Sequence, residues 1–147
     1  MFRPSFVLLL AAGVLSLVGC AGNDTVDSVA TMFEGDELIS GLTNGLGIDA
    51  TQAAGSIGSI LSFAESSLPA ADYASLKRLL PGTDKYMQVA KDAGLLTSPI
   101  ADATTLRGAM GQLGLSPARA TKLYSEFGDY LGNLGGPSAK NMLMNLL

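Results

Sequence analysis

The sequence predicts an all-α fold, a single-domain bundle of six or seven short helices. Three observations lead to this prediction. From residue 33 onward, apolar residues recur every three or four positions, which is the spacing of helices with one buried face. Glycine, proline and capping residues interrupt that spacing at short intervals, as helix ends do. No segment shows the strict apolar–polar alternation of a half-buried strand.

The first twenty residues have the three parts of a bacterial signal peptide. Arg3 gives a short positive start, residues 6–18 are almost wholly apolar, and small residues lead to a cleavage site. The apolar run is shorter than the roughly 20 residues that a membrane-spanning helix needs. We therefore expect residues 1–19 to be removed.

The end of this segment, Leu17-Val18-Gly19-Cys20, resembles the lipobox of bacterial lipoproteins. The resemblance implies cleavage before Cys20, a diacylglycerol on its sulfur, and an acyl group such as palmitate on the new amino terminus. Cys20 is the only cysteine in the chain. Two or more acyl chains attach a protein stably to a bilayer, so we expect Cys20 to be the membrane anchor.

Two alternatives to the lipoprotein interpretation are a secretory peptide cut a few residues later and a cytosolic protein with an apolar start. By resemblance to sorting rules in Gram-negative lipoproteins, Ala21 after the cysteine favours the outer membrane, with the protein facing the periplasm.

The composition of the mature chain narrows the chemistry. The sequence holds nine basic and thirteen acidic residues, and loss of Arg3 leaves a net charge of −5. An acidic chain is a poor phosphate binder, so we expect no nucleic acid partner. There is no histidine, the usual general base and a common metal ligand. We therefore expect no catalytic residue, no metal and no cofactor.

Residues 20–32 are predicted to be a lipidated tether and residues 33–147 the helical domain. The segment from Ala21 to Thr31 is small and polar, without a helical or strand period, which is typical of a flexible linker. The alternative is the frayed start of the first helix.

Two helices are predicted in the first third of the domain. Asp36 and Glu37 suit the start of the first helix, which is expected to end at Gly45 and Gly47. Asp49 is expected to cap the second helix, with Gln52 completing a capping box. The inner face of this second helix is predicted to consist of Ala53, Ile57, Ile60, Leu61, Ala64 and Leu68.

The remaining helices follow from similar signals. Pro69 ends the second helix and precedes a third helix, which ends at Pro81-Gly82. A fourth helix ends at Gly94. A loop over 95–103 precedes a fifth helix. Ser116-Pro117 begins a sixth helix. This helix is stopped by Gly135-Gly136-Pro137, and a last short helix follows.

Two corners of the chain have the same pattern. Residues 46–53 (LGIDATQA) align with residues 113–120 (LGLSPARA), each with a helix stop, an apolar residue, a cap and a longer helix. This order suggests a pseudo-repeated helical hairpin. The alternative is that such corners recur through helix-capping chemistry alone.

These corners, together with the segment SSLPAADYASLKRLLPG at 66–82, resemble the VcgC/VcgE family of bacterial proteins of unknown function. The resemblance runs from Leu38 to the end of the sequence. It implies a small helical protein that is often exported, and it transfers no site residue.

Other candidate sites are weak. Residues 45–50 (GLGIDA) match the dinucleotide fingerprint G-x-G-x-x-[GA], but the expected strand before them is missing. Ser138 and Lys140 form a lone S-x-K, which we interpret as a helix start with a solvated lysine. The acid pairs Asp36/Glu37 and Glu126/Asp129 are interpreted as a helix-dipole pair and a solvated face. The basic residues near residue 80 alternate with acids and indicate a mixed solvated surface.

Glycines inside helices are the unusual feature. Gly128 and Gly132 have the G-x-x-x-G spacing that allows close approach of another helix. This spacing indicates either packing inside the bundle or a groove for a partner helix or an acyl chain. The sequence as a whole favours a non-enzymatic envelope binding module with an envelope protein partner. The alternative is a carrier or sensor of a lipophilic small molecule.

Overall fold

A computed structural model of the protein describes residues 24–147, which form seven helices and no strand. One hydrophobic cluster includes residues from every one of these helices, so the prediction of an all-α single domain is confirmed. The predicted signal peptide and Cys20 lie outside the described residues. The helices are α1 (Asp24–Met32), α2 (Glu37–Leu46), α3 (Ala50–Ser67), α4 (Ala70–Leu79), α5 (Thr83–Asp92), α6 (Ala103–Gln112) and α7 (Pro117–Met144).

The first helix corrects the tether prediction. Residues 24–32 are helical and pack against α3, so a linker without regular structure over 20–32 is wrong for this part. Val29 is buried, and Phe33 stacks on Tyr86 with 4.9 Å between the ring centroids. The 3–4 spacing of Val26, Val29 and Phe33 is the signal that could have revealed the helix. The polar residues between them concealed it.

The predicted caps of α2 and α3 are confirmed. The Asp36 carboxylate accepts hydrogen bonds from the amides of Leu38 and Ile39, and Gly47 ends α2 in the left-handed conformation, with φ 62°. Asp49 and Gln52 form both bonds of the capping box, at 2.8 and 3.0 Å. These bonds satisfy amides that the first turn of a helix leaves without a partner.

Helix α3 lies at the centre of the bundle. Five residues of its predicted inner face are buried, whereas the sixth, Leu68, follows the helix and is only partly buried. All the remaining positions from residue 53 to residue 64 are buried as well, so the prediction of an amphipathic helix with one inner face is too narrow. The opposite side consists mainly of glycine and serine, which let α5 come close. A Cβ atom on Gly58 would lie 2.1 Å from the carbonyl oxygen of Tyr86.

The two similar corners are equivalent in structure. Gly47 and Gly114 both have positive φ, 62° and 79°. Asp49 and Ser116 each accept a hydrogen bond from the amide three residues later. The apolar residues between glycine and cap are buried in both corners. The α2–α3 and α6–α7 hairpins therefore share one local geometry.

Two hydrogen bonds also join the corners to each other. The side-chain amide of Gln52 donates to the carbonyl of Leu113 at 2.8 Å. In return, the Lys122 ammonium donates to the carbonyl of Gly45 at 2.9 Å. The last carbonyls of a helix have no amide partner within that helix. Here α3 donates to such a carbonyl at the end of α6, and α7 donates to one at the end of α2.

Helix α7 is interrupted at Gly136, whose φ of 76° and ψ of −176° are not helical. We call residues 117–135 its first arm and residues 137–144 its second arm. The second arm folds back on the first, since Lys140 pairs with Asp129. The predicted stop at Gly135-Gly136-Pro137 and the separate last helix are confirmed.

Candidate functional site

Three of the four acidic residues that the sequence analysis grouped in pairs line the same cavity. Glu37, Glu126 and Asp129 line an open cavity of about 170 Å³ between α2 and the first arm of α7. All three residues are exposed, and Asp129 is paired with Lys140, so Lys140 is not simply solvated. Asp36 instead caps α2.

The G-x-x-x-G spacing is used within the chain. A Cβ atom on Gly128 would lie 3.1 Å from the sulfur of Met144, and one on Gly132 would lie 3.4 Å from Cβ of Lys140. The second arm of α7 therefore occupies the face that these glycines open. This contact supports packing inside the bundle over a groove for a partner helix or an acyl chain.

A groove lies between α4 and the second arm of α7. It has a volume of about 600 Å³. Leu79, Ala139 and Met142 give it an apolar floor, and hydroxyl and amide groups surround that floor. These polar residues include Ser75, Ser138, Asn141 and Asn145. An apolar centre with a hydrogen-bonding rim is the usual composition of a protein–protein contact surface.

A second groove lies between α6 and the first arm of α7, and we call it the α6–α7 groove. It consists of two cavities, of about 200 and 260 Å³, that share Arg107, Thr121 and Tyr124 among their lining residues. The rest of the lining is Met110, Gly111, Leu115, Pro117 and Ala120 in the inner cavity, and Ala103, Leu106, Met144 and Leu147 in the outer one.

Two polar groups in the α6–α7 groove have no partner in the described part of the chain. The Tyr124 hydroxyl is buried and makes no hydrogen bond. No hydrogen bond or ion pair of the exposed Arg107 guanidinium is present among residues 24–147. Burial raises the pKa of Tyr124, and the positive charge of Arg107 opposes that rise. Sequence reasoning singled out neither residue.

The most buried tyrosine forms a long-range polar contact that the sequence did not indicate. The Tyr86 hydroxyl donates to the second carboxylate oxygen of Asp36 at 2.6 Å. Burial is the main cause of the raised pKa of Tyr86, and the bond to Asp36 raises it further. The two residues are 50 positions apart, so no local motif could have paired them.

The other sequence candidates are placed as follows. The fingerprint at 45–50 runs from the end of α2 to the start of α3, so a helix and not a strand precedes it, as predicted. Lys77 and Asp84 form an exposed ion pair at 3.5 Å, as a mixed solvated surface would. Within residues 24–147 we find no cluster of three or more metal-ligating side chains. No helix in the same range is both long and apolar enough to cross a membrane.

Comparison of the chain with curated proteins and with solved structures finds no match. A family comparison does find one. The profile described as protein of unknown function VcgC/VcgE (DUF2780) matches residues 18–147, which is most of the chain and confirms the resemblance seen in the corner motifs. The protein therefore belongs to the VcgC/VcgE family.

Proposed function

We propose that this protein is a lipid-anchored envelope protein that acts by binding another envelope protein, without catalysis. The observation that carries the proposal is the Leu17–Cys20 motif, which ends an apolar leader at the only cysteine of the chain. Two or more acyl chains on Cys20 would attach the helical domain to the membrane surface. Ala21 favours the outer membrane and a domain in the periplasm.

The groove between α4 and the second arm of α7 is the surface we propose for the partner. Its apolar floor and amide-rich rim suit a protein segment better than a small ligand. Leu134, next to this groove in sequence, is 46% exposed, and it would extend the apolar area available to the partner.

The anchor is tested by the variant Cys20→Ala. We expect it to leave the membrane fraction or to remain unprocessed, with the helical content of the domain unchanged. Mass spectrometry of the wild-type amino terminus should find an acylated Cys20. A Cys20→Ala protein that is still processed and still membrane-bound would contradict the anchor.

The partner surface is tested by mass spectrometry of proteins that copurify from detergent-solubilised envelopes. Asn141 is an exposed rim residue, so Asn141→Lys should block the groove without disturbing the fold and should remove a stoichiometric partner. Asn44→Lys on α2 is the matched control and should retain that partner. Equal recovery from both variants, or no partner from wild type, would contradict the proposed surface.

The alternative function, a carrier or sensor of a lipophilic small molecule, is favoured by a different observation. The central positions of the bundle, such as Ile57, Leu61 and Phe127, are 0% exposed, so a ligand would bind between helices at the surface. The α6–α7 groove is the place where the described residues offer such a site.

A further inference from the structure

The α6–α7 groove has the composition of a small-molecule site. Together its two cavities fall within the roughly 300–1,000 Å³ typical of such sites. The inner cavity alone exceeds the ~150 Å³ that accommodates benzene in an engineered core. Because the cavities adjoin over three shared residues, the groove is suited to an extended apolar group that runs from one into the other.

A charged group of the groove defines the other end of the ligand. Among residues 24–147, Arg107 is the only charged side chain that lines either cavity. An arginine has five hydrogen-bond donors and no acceptor. An anionic oxygen on the ligand would complement this guanidinium.

Comparison of the two hairpins of the pseudo-repeat shows that the helix face lining the α6–α7 groove is uncovered in only one of them. In the first hairpin, the positions equivalent to Pro117, Thr121 and Tyr124 are Ala50, Ala54 and Ile57, and all three are buried. In the second hairpin, Pro117 and Thr121 are exposed and Tyr124 is half-buried. In the first hairpin, other helices of the domain cover this surface. In the second hairpin, the equivalent surface is open.

We propose that the α6–α7 groove binds one straight-chain fatty acid, with its alkyl chain along the apolar lining and its carboxylate at Arg107. Tyr124, which lines both cavities, lies along the path of the alkyl chain. An uncharged alcohol of the same chain length would fill the groove but would leave Arg107 unpaired, so the site distinguishes the acid from the alcohol. The proposal does not depend on the anchor or on the α4–α7 partner surface.

The test uses the full-length protein in isolated envelopes and a dodecanoate probe with a photoreactive diazirine in its chain. After irradiation, mass spectrometry should place the crosslinks on residues of the groove, such as Met110 and Leu115. Excess dodecanoate should abolish them, whereas dodecanol should need a concentration about two- to fivefold higher for the same effect. Crosslinks elsewhere, or equal competition by the alcohol, would overturn the proposal.

Three variants make the test specific. Arg107→Gln should lower the crosslink yield about two- to fivefold, since the ion pair with this exposed guanidinium is lost. Arg119→Gln is the matched control and should not change the yield. Arg119 is an exposed residue of the first arm of α7 that does not line the groove. Gly111→Leu should abolish crosslinking without lowering the melting temperature, because a Cβ at Gly111 meets no atom within 4 Å and leucine favours the helix more than glycine does. A Gly111→Leu protein that melts normally and still crosslinks in the groove would overturn the site.

Discussion

Gly58 shows how one missing side chain sets the distance between two helices. A Cβ atom there would lie 2.1 Å from the Tyr86 carbonyl oxygen and 2.8 Å from Cβ of Ala90. The sequence presents the glycines inside helices as equivalent, each costing about 1 kcal/mol relative to alanine. The structure separates them, because a Cβ at Gly108 would meet no atom within 4 Å.

We therefore expect opposite effects from two identical substitutions. Gly58→Ala should lower the free energy of unfolding by about 1–3 kcal/mol, since the backbone of α5 must move to admit a methyl group. Gly108→Ala should raise it by up to about 1 kcal/mol through helix propensity. Urea denaturation of both variants measures the difference. A Gly58→Ala protein as stable as Gly108→Ala would show that α3 and α5 are not in backbone contact.

Asp36 illustrates what can and cannot be predicted at a single residue. Its position before an apolar helical period identifies it as a helix-start acid, and the structure confirms that role. Its second oxygen accepts from Tyr86. That contact depends on the packing of α5 against the rest of the bundle, which no local pattern specifies.

Among the elements, the boundaries of α2 to α7 could be predicted, whereas α1 and the burial of the individual helices could not. Caps are local, since the residues that start and stop a helix lie within a few positions of one another. Burial is not local. The glycines and serines of α3 look like a polar face in sequence, yet the close approach of α5 buries them. The small polar residues of α1 likewise look like a linker until α3 provides a surface for Val29.

The bonds between the two corners should contribute separately from the caps. Gln52→Glu keeps an oxygen for the capping box, which accepts glutamate as well as glutamine, but it cannot donate to the Leu113 carbonyl. We expect it to lower the free energy of unfolding by about 1 kcal/mol. Hydrogen exchange should be faster at the corner that contains Gly114.

The matched control for this substitution is Arg119→Glu. Position 119 is the equivalent of 52 in the second corner, and no hydrogen bond joins its side chain to the first corner within residues 24–147. Arg119→Glu should not reduce stability, because it completes a capping box with Ser116. If Gln52→Glu is as stable as wild type, the bond between the corners carries no net free energy.

For the whole molecule, fold class and family followed from the sequence, but the grooves did not. Helical spacing and corner motifs are distributed along the whole domain, so errors in single elements did not change the fold prediction. The α6–α7 groove is formed by side chains such as Arg107 and Tyr124, which belong to different helices. Nothing in the sequence around either residue distinguishes it from an ordinary surface residue.

The four tyrosines should together make stability fall in alkaline solution. Burial raises the pKa of each, and that of Tyr73 rises to about 12. The folded protein therefore retains phenolic protons that the unfolded chain loses near pH 10. Stability should be fully present below pH 10 and should decrease as the pH rises toward 12 and beyond.

This pH dependence is measured by thermal melts between pH 8 and pH 12, with tyrosinate absorbance followed in parallel. Tyr86→Phe should be less stable at neutral pH because it loses the bond to Asp36. The same variant should show a shallower loss of stability above pH 10, since one phenol no longer titrates. A slope identical to that of wild type would show that Tyr86 does not contribute to the alkaline transition.

The central position of α3 has a consequence for how the domain comes apart. Helices α1, α2, α4, α5 and α6 each pack against α3, so removing any one of them uncovers part of a segment that has no charged side chain between residues 50 and 64. A form that lacks any one of these five helices therefore exposes part of that segment to water. We infer that partly unfolded forms are poorly populated and that the domain unfolds in one cooperative step. The slowest-exchanging amides along α3 should then report the global free energy of unfolding.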